Sequence, residues 1–250
     1  MGKESNLNKA KHVKPDISKY KGFLFDLDGT LIDSHGIWND ADIDTIKHFR
    51  GKPRKNFIQE KSAFFHNNPN LANIYEEYFK YIIELYNLKN VKVTEFYELC
   101  YKIAHDKIRN IGYRQNADKL LNCLKQCDAK LSLITLSSNK TLDILMNEND
   151  TLKKSADIKE IFGNNIITSD MVKNKKPAPD AYICGIDKLS LSPLECFAFE
   201  DSYGGTLAAV RAKLDTCVIY EKHSDNDRDK IEKLTPYHIK NFDEITELIK

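Results

Sequence analysis

The chain has 250 residues, 38 basic and 37 acidic, for a formal net charge of +1. Such a balance provides no chain-wide basic footprint for nucleic acid or an anionic membrane, and the length suits one large domain or a core carrying an insert. Charged residues are 30% of the chain and mean hydropathy is -0.52, while no apolar run approaches the roughly 18 residues a membrane span needs.

Residues 1–21 are polar and lysine-rich and lack an apolar h-region, so they read as a flexible tail and not a secretory signal. The run Gly22 to Phe25 predicts a short buried strand ending at Asp26-Leu27-Asp28-Gly29-Thr30. From 34 to 112 the texture changes. Ile74, Tyr78, Tyr81, Ile82 and Leu85, then Phe96, Leu99, Cys100 and Ile103, recur at helical spacing with no convincing strand. Beyond this block, alternation returns: a helix at 118–126, a strand at 130–136, a helix around 142–146 and a short strand at 165–168. A loop at 172–179 then leads to a helix from Asp180, a strand at 196–199, a helix at 205–213, a strand at 216–220 and a closing helix at 243–250. Alternating strands and helices predict a Rossmann-like three-layer α/β core with a mostly parallel sheet. The core comprises 22–33 and 113–250, with an all-α cap inserted at 34–112.

Six cysteines are scattered along the chain, several in apolar runs. They read as reduced core residues of a cytoplasmic protein. Cys123 and Cys127 share one helix face, but no second pair or histidine stands near them in sequence to complete a zinc site.

Parallel sheets bind ligands beyond the carboxyl ends of their strands, and four predicted ends carry unusual polar groups. Asp26 and Asp28 flank a bend that brings two carboxylates together, and a divalent cation or a held proton relieves their repulsion. A capping pair in an ordinary loop is the plain alternative. Thr135, in LITLSSN, offers a hydroxyl beside backbone N–H groups at a strand end, although Ser137 or Ser138 as a simple helix N-cap fits equally well. In KNKKPAPD, Pro177 fixes the backbone after Lys176, so Lys176 is chosen over Lys175 as the ammonium aimed inward; an exposed lysine run is the bland reading. Glu200 and Asp201, after the apolar strand CFAF, suit oxygen ligation of a hard cation such as Mg²⁺.

Together, FDLDGTLIDS, KPAPDAY and FEDSYGG resemble the haloacid dehalogenase superfamily, in its branch with a helical cap after the first motif. The resemblance runs from Phe23 to Tyr220. It implies that Asp26 is the nucleophile and Asp28 the general acid and then base. Thr135 and the neighbouring Leu136 amide would bind phosphoryl oxygens, with Lys176 balancing their charge. Mg²⁺ would be held by Asp26, the backbone carbonyl of Asp28 and Asp201, with Glu200 beside it or bound to it. The implied activity is a Mg²⁺-dependent phosphatase acting on a small phosphorylated metabolite through an aspartyl-phosphate.

A phosphosugar mutase using the same intermediate is the alternative. Against it, Trp38 stands where β-phosphoglucomutase relatives carry a histidine, twelve residues after the nucleophile. The chain also reads Ala212-Lys213-Leu214-Asp215 where the family commonly has a glycine-rich turn. In the cap, Lys52 and Arg54 either bind a second anionic group of the substrate or form an exposed basic loop. No nucleic-acid or membrane partner is expected, and a monomer is favoured.

Overall fold

The computed structural model describes residues 13–68, 71 and 73–246. Six parallel strands form one sheet: β1 (Gly22–Phe25), β2 (Lys130–Ile134), β3 (Ile166–Ile167), β4 (Cys196–Glu200), β5 (Asp215–Ile219) and β6 (Tyr237–Ile239). Their order is β3-β2-β1-β4-β5-β6, the doubly wound arrangement, in which the order reverses beside β1. The central strands β1 and β4 are apolar up to Glu200 at the end of β4, and every residue of both is buried. This is the pattern of parallel strands covered on both faces.

The helices, in chain order, are α1 (His35–His48), α2 (Phe57–Asn67), α3 (Ile74–Leu85), α4 (Val93–Ile108), α5 (Ala117–Gln126), α6 (Asn139–Asn147), α7 (Asp150–Ser155), α8 (Ile158–Phe162), α9 (Asp180–Leu189), α10 (Tyr203–Arg211), α11 (Arg228–Ile231) and α12 (Asp243–Thr246). The chain divides into two compact units, one holding the sheet and the other spanning Ser34–Asn110.

In the sheet-bearing unit, Leu24, Ile134, Ile167 and Ala198 pack with Ala181, Tyr182 and Ile186 of α9 and with Ala208 and Ala209 of α10. Phe25 stacks on Phe199 at 4.8 Å and meets Phe162 of α8 edge-on at 6.3 Å, while Phe199 meets Phe242 at 5.7 Å. Even side chains of β1 therefore face one helical layer and odd ones the other, as the period of two requires.

The Ser34–Asn110 unit is all helical. Phe79 packs on Phe96 at 5.5 Å, and Phe96 on Phe49 at 6.1 Å. Among these aromatics lies Asp42 of α1, only 2% exposed. Its carboxylate accepts hydrogen bonds from Lys61 Nζ at 2.6 Å, Tyr78 OH at 2.9 Å and Cys100 Sγ at 3.3 Å, one donor from each of the other three helices. A buried carboxylate survives where its oxygens are satisfied.

The expected flexible tail at 1–21 requires correction over 13–21. Val13 N–H donates to Pro236 O at 3.0 Å beside β6, Ile17 is 3% exposed, and the Tyr20 ring lies 4.9 Å from Phe197 while its hydroxyl donates to Asp215. Pro15, Ile17 and Tyr20 are buried, and the apolar surface they remove from water anchors a lysine-rich segment. Residues 1–12 lie outside the described residues, as do the last four of the expected closing helix.

Candidate active site

Three strand ends converge where the strand order reverses. Asp26 is the first residue beyond β1, and its N–H still donates to Phe199 O at 3.0 Å. The chain then folds back on itself: Leu31 and Ile32 N–H both donate to Leu27 O, and Gly29 N–H donates to Ile32 O at 2.8 Å. Gly29 has φ +86°, a backbone region that side-chain-bearing residues rarely occupy. This tight turn leaves the Asp26 carboxylate buried at the sheet end and Asp28 half-buried.

Lys176 reaches this point from the loop before α9. Its Nζ donates to Asp26 Oδ1 at 2.6 Å, Glu200 Oε1 at 2.7 Å and Ile134 O at 3.0 Å, so all three ammonium hydrogens have acceptors. The neighbouring Lys175 is exposed. Glu200, at the last position of β4, is fully buried. Its Oε1 also accepts from Tyr182 OH at 2.7 Å, and its Oε2 accepts from Asp201 N–H at 3.2 Å and Ser202 Oγ at 3.4 Å. Asp201, 1% exposed, accepts from Thr30 Oγ1 at 3.4 Å.

Asp26, Glu200 and Asp201 bring carboxylate oxygens within 4.8 Å of one another, the one such group of three among the described residues. Three buried anions face one buried ammonium, so negative charge is in surplus. Burial, reinforced by Glu200 and Asp201, raises the Asp26 pKa above the ordinary carboxylate value despite Lys176. Burial pulls the Lys176 pKa down, but Asp26 and Glu200 outweigh it and raise the pKa above the usual lysine value. Asp26 Oδ2 is buried with no hydrogen-bond partner. An orphaned oxygen among hard anionic donors fits a divalent cation such as Mg²⁺.

The second aspartate is held elsewhere. Asp28 Oδ2 accepts from Ser137 Oγ at 2.7 Å and Thr135 Oγ1 at 3.3 Å, so its carboxylate is not among the three that cluster. Hydroxyls beyond β2 supply Asp28 with these donors. Thr135 is fully buried at the end of β2, and its Oγ1 accepts from Ser137 N–H at 2.9 Å. The helix cap falls to Ser138, whose Oγ accepts from Thr141 N–H at 3.2 Å. Leu136 follows Thr135 out of the strand and is 44% exposed.

In the helical unit, Arg54 donates to Glu60 Oε1 at 3.1 Å and lies 5.7 Å from the Tyr86 ring centre, while Lys52 is exposed. The Arg54 charge is thus matched by a carboxylate of its own unit. Trp38 meets Tyr101 edge-on at 5.1 Å. Cys123 and Cys127 are free thiols.

Sequence reasoning missed Tyr182 and the role of Ser137. Tyr182 stands six residues after Lys176 inside KPAPDAY, which puts it on α9 facing the sheet, and that spacing was a usable signal. Ser137 was read only as a possible cap.

Three buried carboxylates and a lysine gather at the ends of parallel strands on a doubly wound α/β scaffold. The haloacid dehalogenase-like hydrolase family profile matches residues 23–219, and the chain belongs to that family. Protein CbbY of Rhodobacter capsulatus is 28% identical over 207 residues, covering 77% of this chain and 81% of that protein. Hexitol phosphatase A of Escherichia coli (strain K12) is 28% identical over 210 residues, with coverage of 77% and 79%. Among solved structures, the fold is similar to that of a putative beta-phosphoglucomutase from Thermotoga maritima, with TM-score 0.74, 19% identity and coverage of 91% and 98%. No helix among the described residues is long and apolar enough to cross a membrane.

Proposed function

We propose that this hydrolase is a Mg²⁺-dependent phosphatase that cleaves a small phosphorylated metabolite through an aspartyl-phosphate on Asp26. The observation that carries the reading is the Asp26 carboxylate, bound at Oδ1 by Lys176 at 2.6 Å and left without a partner at Oδ2. Lys176 thus fixes the orientation of a carboxylate that still has capacity for a further partner. The relatives named as phosphatases, such as hexitol phosphatase A, support the same class.

In the first step an Asp26 oxygen attacks phosphorus, the bond from phosphorus to the ester oxygen breaks, and Asp28 gives that oxygen a proton. In the second step water attacks phosphorus, Asp28 takes the water proton, and the bond from phosphorus to the Asp26 oxygen breaks to restore the carboxylate. Before either step, Asp28 leaves its bonds to Ser137 and Thr135. Thr135 and the Leu136 amide hold phosphoryl oxygens, while Lys176 orients Asp26 and offsets the added charge. Asp26, the Asp28 backbone carbonyl and Asp201 hold Mg²⁺, which when bound neutralises phosphoryl charge. Glu200, with both oxygens already engaged, holds Lys176 in place. Lys52 remains the cap residue proposed to meet a second anionic group.

A panel of phosphate esters with Mg²⁺, and again with a chelator, tests the reading. Metal-dependent release of inorganic phosphate supports it. Isomer formation without phosphate release moves the assignment to a phosphosugar mutase, and absence of both ends it.

A further inference from the structure

Arg114 stands four residues into the chain that returns to the sheet-bearing unit at Ile111. Its backbone N–H donates to Leu31 O at 2.7 Å. Its guanidinium donates through Nη1 to Gly29 O and to Glu221 Oε2, the latter at 2.9 Å, and through Nη2 to Tyr220 O at 2.6 Å. The Arg114 side chain is 16% exposed and that of Glu221 5%. Glu221 is itself fixed by His223, whose N–H lies 3.2 Å and Nδ1 2.8 Å from Oε1. One planar fork therefore ties the turn after β1 to the loop after β5.

Stability does not explain the pair well, because a desolvated ion pair often contributes no more than apolar side chains of the same volume. Its geometry does more. Gly29 is the most freely rotating residue of the catalytic turn. The peptide before it is pinned by Gly29 N–H donating to Ile32 O, and the peptide after it is pinned by Arg114 on Gly29 O. A peptide unit is planar, so these two bonds together fix φ and ψ at Gly29. The first of those planes carries the Asp28 carbonyl.

We propose that Arg114, aimed by Glu221, is a positioning residue that freezes the Asp28–Gly29 turn with the Asp28 carbonyl directed for cation binding. The inference rests on the reading of that carbonyl as a cation ligand. Arg114 borders a cavity of about 370 Å³ that Asp33, Gln115 and Lys240 also line, so a shortened side chain leaves room for water.

The test measures Mn²⁺ binding to the substrate-free protein by water proton relaxation, for wild type, Arg114→Ala, Arg114→Lys and Glu221→Gln, and then Mg²⁺-dependent ester hydrolysis. Arg114→Ala is expected to weaken Mn²⁺ binding and lower kcat by about 10-fold or more, the usual effect of losing a group that orients a ligand, with KM for the ester unchanged. Arg114→Lys and Glu221→Gln lose less, in the same two readouts, and carry the test if Arg114→Ala fails to fold. Combining Arg114→Ala with Glu221→Gln adds nothing further. Mn²⁺ affinity and kcat at wild-type values in folded variants overturn the inference, whatever happens to the melting temperature. If wild type hydrolyses no ester, the phosphatase reading fails while Mn²⁺ binding still decides the role of Arg114.

Discussion

A Cβ placed on Gly205 would lie 2.0 Å from Glu200 Oε1. The first turn of α10 and the end of β4 therefore approach as closely as they do only because residue 205 has no side chain. The contact holds the Glu200 carboxylate against Lys176 and Tyr182. Gly205→Ala is expected to displace that carboxylate, with a stability loss of about 1–3 kcal/mol, as overpacking of a dense interior does, and a fall in kcat. At Gly204 a Cβ meets nothing within 4 Å, so Gly204→Ala should leave both properties unchanged. Urea midpoints and turnover for the two variants check the contrast.

Lys176→Met removes the one ammonium bound to Asp26 and Glu200. Two buried carboxylates then lack their counter-charge, which costs about 3–5 kcal/mol when one partner of a buried pair is lost. Turnover should fall about 100-fold or more, as on removal of a preorganised charge donor. Denaturant unfolding without metal, repeated with Mg²⁺, should show a greater metal-induced stabilisation in the variant than in wild type.

Glu221 supplies a pH dependence. Burial raises its pKa, but the hydrogen bonds from His223 and the Arg114 charge bring it below the ordinary glutamate value of 4.5. A carboxyl with a depressed folded pKa binds fewer protons folded than unfolded, so its contribution is present above 4.5 and is lost as pH falls through the folded value. The melting-temperature difference between wild type and Glu221→Gln should hold steady from neutral pH down to that region and shrink below it. A difference independent of pH contradicts the account.

The helical unit has its own test. Asp42→Ala leaves the Lys61 ammonium and the Tyr78 hydroxyl without the acceptor they share, at a cost of about 3–5 kcal/mol; Asp42→Asn keeps one acceptor oxygen and loses less. Trp38 is the single tryptophan of the chain and belongs to this unit, so its fluorescence during denaturation reports the loss selectively.

These cases also show what could be read from the sequence. The strand-end groups Asp26, Lys176, Glu200 and Asp201 stood out because each lies in a short stretch whose chemistry is visible locally: a carboxylate after an apolar run, a lysine before a proline. The alternation of strands and helices was visible for the same reason, since period alone separates 130–134 from 117–126. β6 spans three residues, too few to show a period, and α7 and α8 are similarly short. Contacts that depend on strand order were hidden. Arg114 reaches Gly29 across 85 positions, and Ser137 reaches Asp28 across 109. The packing of 13–21 was masked because its buried side chains, Pro15, Ile17 and Tyr20, are diluted among lysines.

The central claim is that the Asp26 carboxylate itself receives the phosphoryl group. Mixing the enzyme with a turned-over ester and Mg²⁺, quenching in acid, and reducing with borohydride converts an acyl phosphate to an alcohol, which peptide mass spectrometry can locate. The account predicts homoserine at position 26 in wild type, none in a control without ester, and no phosphate release by Asp26→Asn. Steady phosphate release with residue 26 unmodified, or by Asp26→Asn at the wild-type rate, would contradict it.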